Sequence, residues 1–247
     1  MGIRMAGPSR TPRKSRSILG TLIRGVLRLL GGFVVLLVAT IVMLRFVDPP
    51  TWSWRIHRAI DPPPNYPQQP RHHWVALDQM PLALPLAVVA AEDQRFPWHH
   101  GIDLQAVREA LKAADRGQPL RGASTLTQQT AKNLFLWSER AFSRKFLELG
   151  LALLLELLWD KQRILEVYLN IVEFGPGVYG VGAASEYWFH RPVQQISPAQ
   201  AAQLAAILPN PWRYRAEPPS PYVRERSRWI GQQMLQLGDA WLNPVLD

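Results

Sequence analysis

The 247-residue sequence has no cysteine. That excludes disulfide scaffolds and thiolate metal sites, and it permits an oxidising compartment without identifying one. Alternating patterns of the kind that mark half-buried strands are scarce, Trp74-Val75-Ala76-Leu77 being the best candidate, so the expected class is mainly α. Internal repeats and long low-complexity tracts are also missing. Acid is absent from residues 1–28, which carry Arg4, Arg10, Arg13, Lys14, Arg16, Arg24 and Arg28. The formal net charge of +9 is therefore mostly local, and only +2 remains for everything after Arg28. So even a balance speaks against a nucleic-acid surface. The whole chain is otherwise ordinary for a folded protein, 47% hydrophobic and 19% charged, and long enough to bury a real core.

The basic segment runs into Leu29–Leu44, sixteen residues without a charge. A bilayer core needs about 20 apolar residues, and Phe46-Val47 extend the stretch while Arg28 and Arg45 can snorkel outward. One tilted span over residues 29–47 is expected. A cleaved signal peptide begins in the same way, but this apolar run is long for one, and no small-x-small site precedes Asp48-Pro49-Pro50. The excess of cations places residues 1–28 in the cytoplasm and everything beyond about Asp48 outside.

Residues 48–70 are rich in proline, with Trp52 and Trp54 suited to a membrane interface. The prolines argue against regular helix, so this stretch reads as a linker or wrapping arm. Residues 71–247 form the remaining domain, punctuated mainly into helices. Pro85 leads one over residues 86–93, and Asp103 caps another carrying Leu104, Val107 and Leu111, stopped by Gly117. Thr125-x-x-Gln128 reads as a capping box for a third. A fourth runs from about Phe142 to Trp159, with Phe146, Leu149, Leu153 and Leu157 along one stripe. Residues 161–170 make a fifth, and Ser197-Pro198 opens a sixth that ends at Pro209-Asn210-Pro211.

Chemistry concentrates in three places. Glu92-Asp93 follows the apolar run 86–91, and partial desolvation there would raise the pKa of Glu92 into the range of a general base; a solvated helix end explains the same residues. The neighbouring His99-His100 pair is a poor metal site, because adjacent histidines point apart and no third ligand is evident. Thirty residues on, Ser124, Gln129 and Lys132 lie at a polar helix start that suits an anion, where a well-capped surface helix would need only Thr125 and Gln128. Then come Arg140, Arg144, Lys145 and Glu148. Arg144 and Glu148 make a routine i,i+4 pair, or else a carboxylate held among cations that steadies charge on a sugar ring while the cations grip a diphosphate. The Lys161–Asn170 stretch reads mostly as scaffold. Gly175-Pro176-Gly177-Val178-Tyr179-Gly180 spells a dinucleotide fingerprint but follows a helix, with no βαβ unit, and is read as a tight loop.

Together these segments resemble the peptidoglycan glycosyltransferase family, whose domain occurs alone or fused to penicillin-binding transpeptidases. The likeness covers about residues 70–215. Glu92-Asp93-x-x-Phe96-x-x-His99-x-Gly101 matches the first family motif, and Gly122-x-Ser124-Thr125-x-Thr127-Gln128-Gln129-x-x-Lys132-Asn133 the second. Arg144-Lys145-x-x-Glu148 matches the third, and Lys161-x-x-Ile164-Leu165-Glu166-x-Tyr168-Leu169-Asn170 the fourth. A fifth motif with an arginine pair is not evident; Leu208-Pro209-Asn210-Pro211 stands near its place.

The resemblance implies a lysozyme-like helical lobe with a smaller mobile lobe that touches the membrane. It implies that Glu92 takes the proton from the 4-hydroxyl of lipid II, the lipid-linked disaccharide, which attacks the anomeric carbon of the growing glycan chain and expels undecaprenyl diphosphate with inversion. Glu148 would sit by the donor, and Lys132, Arg140, Arg144 and Lys145 would contact the anion, assisted by Ser124 and Gln129. No obligatory cofactor or protein-held metal is implied, although Mg²⁺ or Mn²⁺ could help neutralise the diphosphate. The implied partners are the membrane and cell-wall synthesis or division proteins, at the inner membrane. No Ser-x-x-Lys tetrad or Lys-Thr-Gly of a transpeptidase occurs, so a monofunctional enzyme is expected. A lytic hydrolase and a non-catalytic wall-binding scaffold are the rival readings.

Overall fold

The computed structural model describes residues 18–117, 124–139 and 141–246. By its internal contacts the chain falls into two units, residues 1–43 and residues 44–247. The described part of the first is helix α1 (Ile18–Leu44), 27 residues long. Its stretch Gly20–Leu44, of mean hydropathy 2.5, is long and apolar enough to cross a membrane. At about 1.5 Å per residue the helix reaches roughly 40 Å, more than the ~30 Å of a bilayer core. It begins inside the basic segment, ahead of Leu29, where Arg24 folds back to donate to the carbonyl of Gly20 at 2.8 Å.

The second unit is mainly helical. In chain order it contains α2 (Ser53–Ile60), β1 (Arg71–His72), α3 (Ala83–Glu92), α4 (Leu104–Asp115), α5 (Leu126–Phe135), α6 (Phe142–Leu158) and α7 (Lys161–Ile171). There follow β2 (Glu173–Gly175), β3 (Val178–Tyr179), α8 (Gly180–Phe189), α9 (Pro198–Ile207), α10 (Pro221–Leu237) and a last turn, α11 (Asn243–Leu246). The sheet is small, in the order β1-β3-β2, with β1 parallel and β2 antiparallel to β3.

Helix α3 is the centre of this unit. Leu84, Leu86, Val88 and Val89 are all buried, so the helix is apolar on every side and packs against both α9 and α10. Cutting any one of these side chains back to alanine costs about 1–5 kcal/mol, depending on how far the site collapses. The alanines of α9 at 201, 202, 205 and 206 are buried too, and their small size lets α9 approach closely. Caps agree with the sequence. Asp103 accepts from the backbone of Gln105 and Ala106, and Ser197 with Gln200 forms a complete capping box before Pro198. Thr125 is only half a box: it accepts from Gln128 N, while the Gln128 side chain accepts from Lys145 instead of reaching back.

Three local expectations change, and the reading of the Gly175–Gly180 segment as a tight loop holds. The proline-rich segment contains a helix after all, because its prolines flank residues 51–61 and do not interrupt them, leaving room for α2. Trp52, just before it, is 2% exposed and meets His72 and Tyr179 edge to face. Trp74–Leu77 is not a strand. The Asn170 amide pairs with both backbone groups of Val75 at 2.8 Å, so a side chain satisfies the backbone where a neighbouring strand would have done so. The apolar stripes of α4 and α6 face outward: Leu104, Leu111, Phe142, Phe146, Leu153 and Leu157 are exposed, while Glu148, Leu151, Ala152 and Leu155 turn inward. The glycines of the false dinucleotide fingerprint belong to the turn and exit of the β2–β3 hairpin. Gly180 has φ +76°, and a Cβ there would stand 2.5 Å from the Asn170 carbonyl oxygen.

Candidate active site

Glu92 is the last residue of α3, carried to the surface by the apolar helix. It is half-buried. The Gln129 side chain, from α5, donates to its Oε2 at 2.9 Å, and the Tyr168 hydroxyl, from α7, donates to Gln129 Oε1 at 3.1 Å. Tyr168 is fully buried, and burial, with Glu92 and Asp93 nearby, pushes its phenol well above the usual range, so it stays a donor. A donor on one side of the amide orients the NH₂ toward Glu92 on the other. Burial raises the Glu92 pKa above the ordinary carboxylate value; the Gln129 hydrogen bond, Arg226 and Lys132 pull it back down, and Asp93 adds to the rise.

Asp93 has different work. Its carboxylate is buried, receives His99 Nε2 at 2.9 and 3.0 Å on its two oxygens, and accepts the backbone N–H of Leu126 at 2.9 Å. It thereby joins the end of α3 to the start of α5. His99 is buried and His100 exposed, so the pair does point apart.

Opposite lies a cation-rich network. Arg144 Nη1 is 3.0 Å from Glu148 Oε2 and Lys145 Nζ is 2.5 Å from Glu148 Oε1. Lys145 also donates to Ser124 Oγ at 3.1 Å and Gln128 Oε1 at 3.3 Å. Glu148 is buried, on the inward face of α6. Lys132 sits in the field of both carboxylates. Burial lowers its pKa, and Glu148, then Glu92, push the other way. Ser124, Lys145, Arg144 and Glu148 are thus one network, and Lys132 relates it electrostatically to Glu92. Arg140, like Gly122 of the second motif, lies outside the described residues.

Two clefts border the Glu92–Gln129 pair, one lined by Glu92 and the other by Gln129. One, of about 280 Å³, is lined by Glu92, Asp103, Ser124, Thr125 and Trp229. The other, of about 430 Å³, is lined by Trp54, Arg58, Gln129, Lys132, Asn133 and Trp212. A carboxylate bordering one cleft and hydrogen-bonded to the amide that borders the other, with cations close by, can serve two substrates of which one carries an anionic leaving group. Among the described residues no three of His, Asp and Glu gather as metal ligands. Sequence reasoning missed Tyr168, Arg226 and α2. Tyr168 stood in a motif read as scaffold. Arg226 donates to the Ala91 carbonyl at 3.1 Å from a helix that carries no motif.

Residues 61–235 match the family model described as Transglycosylase. Curated relatives named biosynthetic peptidoglycan transglycosylase include that of Aeromonas hydrophila, 53% identical over 91% of this chain and 95% of its own. Those of Shewanella oneidensis (54% identical, 84% and 89%) and Pseudomonas aeruginosa (47%, 90% and 96%) are similar. A family match across most of the chain, with relatives near half identity over most of both lengths, settles membership: the chain belongs to the transglycosylase family.

Proposed function

We propose that this protein is a monofunctional peptidoglycan glycosyltransferase, anchored by α1, that elongates glycan chains in cell-wall biosynthesis. Its substrate is lipid II. Glu92 accepts the proton of the sugar 4-hydroxyl; the oxygen attacks the anomeric carbon of the chain end from the face opposite the diphosphate. The anomeric C–O bond breaks, its electrons leave on undecaprenyl diphosphate, and a β-1,4 bond replaces an α linkage. Lys132, Arg140, Arg144 and Lys145 take the leaving charge, with Ser124 holding Lys145, Gln129 holding Glu92, and Glu148 steadying the positive charge on the sugar ring. The observation that carries this reading is the coexistence of a carboxylate raised by burial with a separate cation network. A hydrolase would need no such grip.

The residues do not fit a resident divalent ion, since both Glu148 oxygens are engaged by cations and Glu92 by Gln129. We assign no obligatory cofactor, and Mg²⁺ or Mn²⁺ a place only on the substrate diphosphate. The seven cations of the acid-free residues 1–28 support a cytoplasmic N-terminus, an inner-membrane span and an extracytoplasmic catalytic unit. The outward stripes of α4 and α6 support a lobe that touches the bilayer. Cell-wall synthesis or division proteins are the natural partners.

The test supplies purified protein with lipid II and, separately, with finished glycan. Polymer from the first and no fragments from the second are expected; fragments without polymer would make the enzyme lytic. A finer outcome follows from Tyr168. The Gln129 hydrogen bond favours ionised Glu92, so Tyr168→Phe, which frees the Gln129 amide to turn, raises the Glu92 pKa further. The acid limb of the kcat/KM profile should move to higher pH, while the plateau falls less than about tenfold. An unmoved limb would remove Tyr168 from the chain of contacts.

A further inference from the structure

The 430 Å³ cleft is walled on one side by α2, whose residues precede the family-matched region beginning at 61. Its organiser is Glu173, a buried carboxylate at the start of β2. Trp54 Nε1 donates to Glu173 Oε2 at 3.2 Å and Trp212 Nε1 to Oε1 at 3.0 Å, and Arg58 pairs with Oε2 at 3.4 Å. The Arg58 guanidinium lies over both indoles, 5.1 Å from Trp54 and 5.0 Å from Trp212. One carboxylate and one guanidinium cancel in charge and leave two indoles fixed in place.

The open face of this assembly meets Lys132. Its ammonium stands 5.5 Å from the centre of the Trp54 ring, and no hydrogen bond or ion pair to it occurs among the described residues. That combination is chemically particular. A carboxylate in place of the ring would hold the lysine more tightly but would occupy the very charge an anionic substrate needs. The π-face attracts the cation without offering it an acceptor, so the donors stay available to phosphate oxygens.

We propose that Trp54, locked by Glu173 and Arg58, is a positioning residue that aims Lys132 at the substrate diphosphate, so that the segment before the family-matched region completes the active site. This rests on the glycosyltransferase reading. The ring acts through Lys132 and touches no reacting atom. Trp54 is only half-buried, so its replacement leaves the core alone.

Full-length protein in detergent tests this with Trp54→Leu, Trp54→Phe and the parent, using lipid II for kinetics and inorganic diphosphate as binding probe. Trp54→Leu should raise KM and weaken diphosphate about tenfold each, with kcat within about threefold. Trp54→Phe keeps a ring face while losing the bond to Glu173, and should stay within about threefold of the parent. Diphosphate titration on Lys132→Met and Lys132→Met/Trp54→Leu should give the same affinity, since the ring then has no cation to aim. An unchanged KM in Trp54→Leu, equal damage from Phe and Leu, or a full Trp54 effect without Lys132 would each overturn the proposal. If Trp54→Leu melts early, Trp54→Met, of similar reach, takes its place. A parent that makes no polymer would sink the glycosyltransferase reading; a polymerising parent with an indifferent Trp54→Leu would sink only the positioning role.

Discussion

Replacing Glu92 by glutamine should cut polymerisation by about 10³-fold or more while the protein still folds. Glutamine keeps the shape of the side chain and can still accept from Gln129, but it cannot take the proton of a sugar hydroxyl. The sign of the stability change is equally specific. Burial lifts the Glu92 pKa in the folded state, so its ionised form weakens the fold at any pH above the unfolded value. A neutral amide removes that cost, and Glu92→Gln should melt no earlier than the parent near neutral pH. In the parent, kcat/KM should fall as pH drops through a pKa higher than the ~4.3 of an ordinary glutamate. Rates with lipid II and a thermal melt on the same preparations decide the matter. Full activity in the variant would remove Glu92 from the chemistry and favour a scaffold, and inactivity with early melting would speak for a structural role.

The site was legible in the sequence to the extent that its residues lie close together along the chain. Glu92 at the end of an apolar run, Ser124 to Lys132 at one helix start and Arg144 to Glu148 within one turn are each local patterns, and helices α3, α5 and α6 hold them as local patterns do. What joins them is not local. The Tyr168–Gln129–Glu92 chain spans α7, α5 and α3, and nothing in the spacing of Tyr168 says that its hydroxyl points at an amide 39 residues earlier. Arg226 reaches back across 135 residues to the Ala91 carbonyl. Helix α2 was obscured by composition, since a proline count over residues 48–70 conceals the gap in which the helix forms. The outward stripes on α4 and α6 mark the reverse error: periodicity identifies an apolar face but not whether protein covers it.

Glu148→Gln should lower kcat by about 10²-fold, less than the Glu92 substitution, with KM changed no more than about threefold. Glu148 does two things at once. It balances Arg144 and Lys145, and in the proposed mechanism it opposes positive charge on the sugar ring. The first function partly survives its loss, because Arg144 still donates to the Glu139 carbonyl at 2.7 Å and Lys145 still reaches Ser124 and Gln128. The two pairs do not weigh equally. The Arg144 side chain is 12% exposed against 43% for Lys145, so the Lys145 pair is heavily screened and Arg144 bears most of the change. Trading the carboxylate for a neutral amide removes the opposing charge of a mostly buried guanidinium, which costs at most about 3–5 kcal/mol by the measure of buried pairs, and the variant should melt earlier. A diphosphate supplies the missing negative charge. Inorganic diphosphate should therefore raise the melting temperature of Glu148→Gln more than that of the parent, even as turnover stays low. If kcat matches the parent, Glu148 only holds its helix neighbours; if turnover is lost and diphosphate gives no extra stabilisation, the cations around it do not face the leaving group.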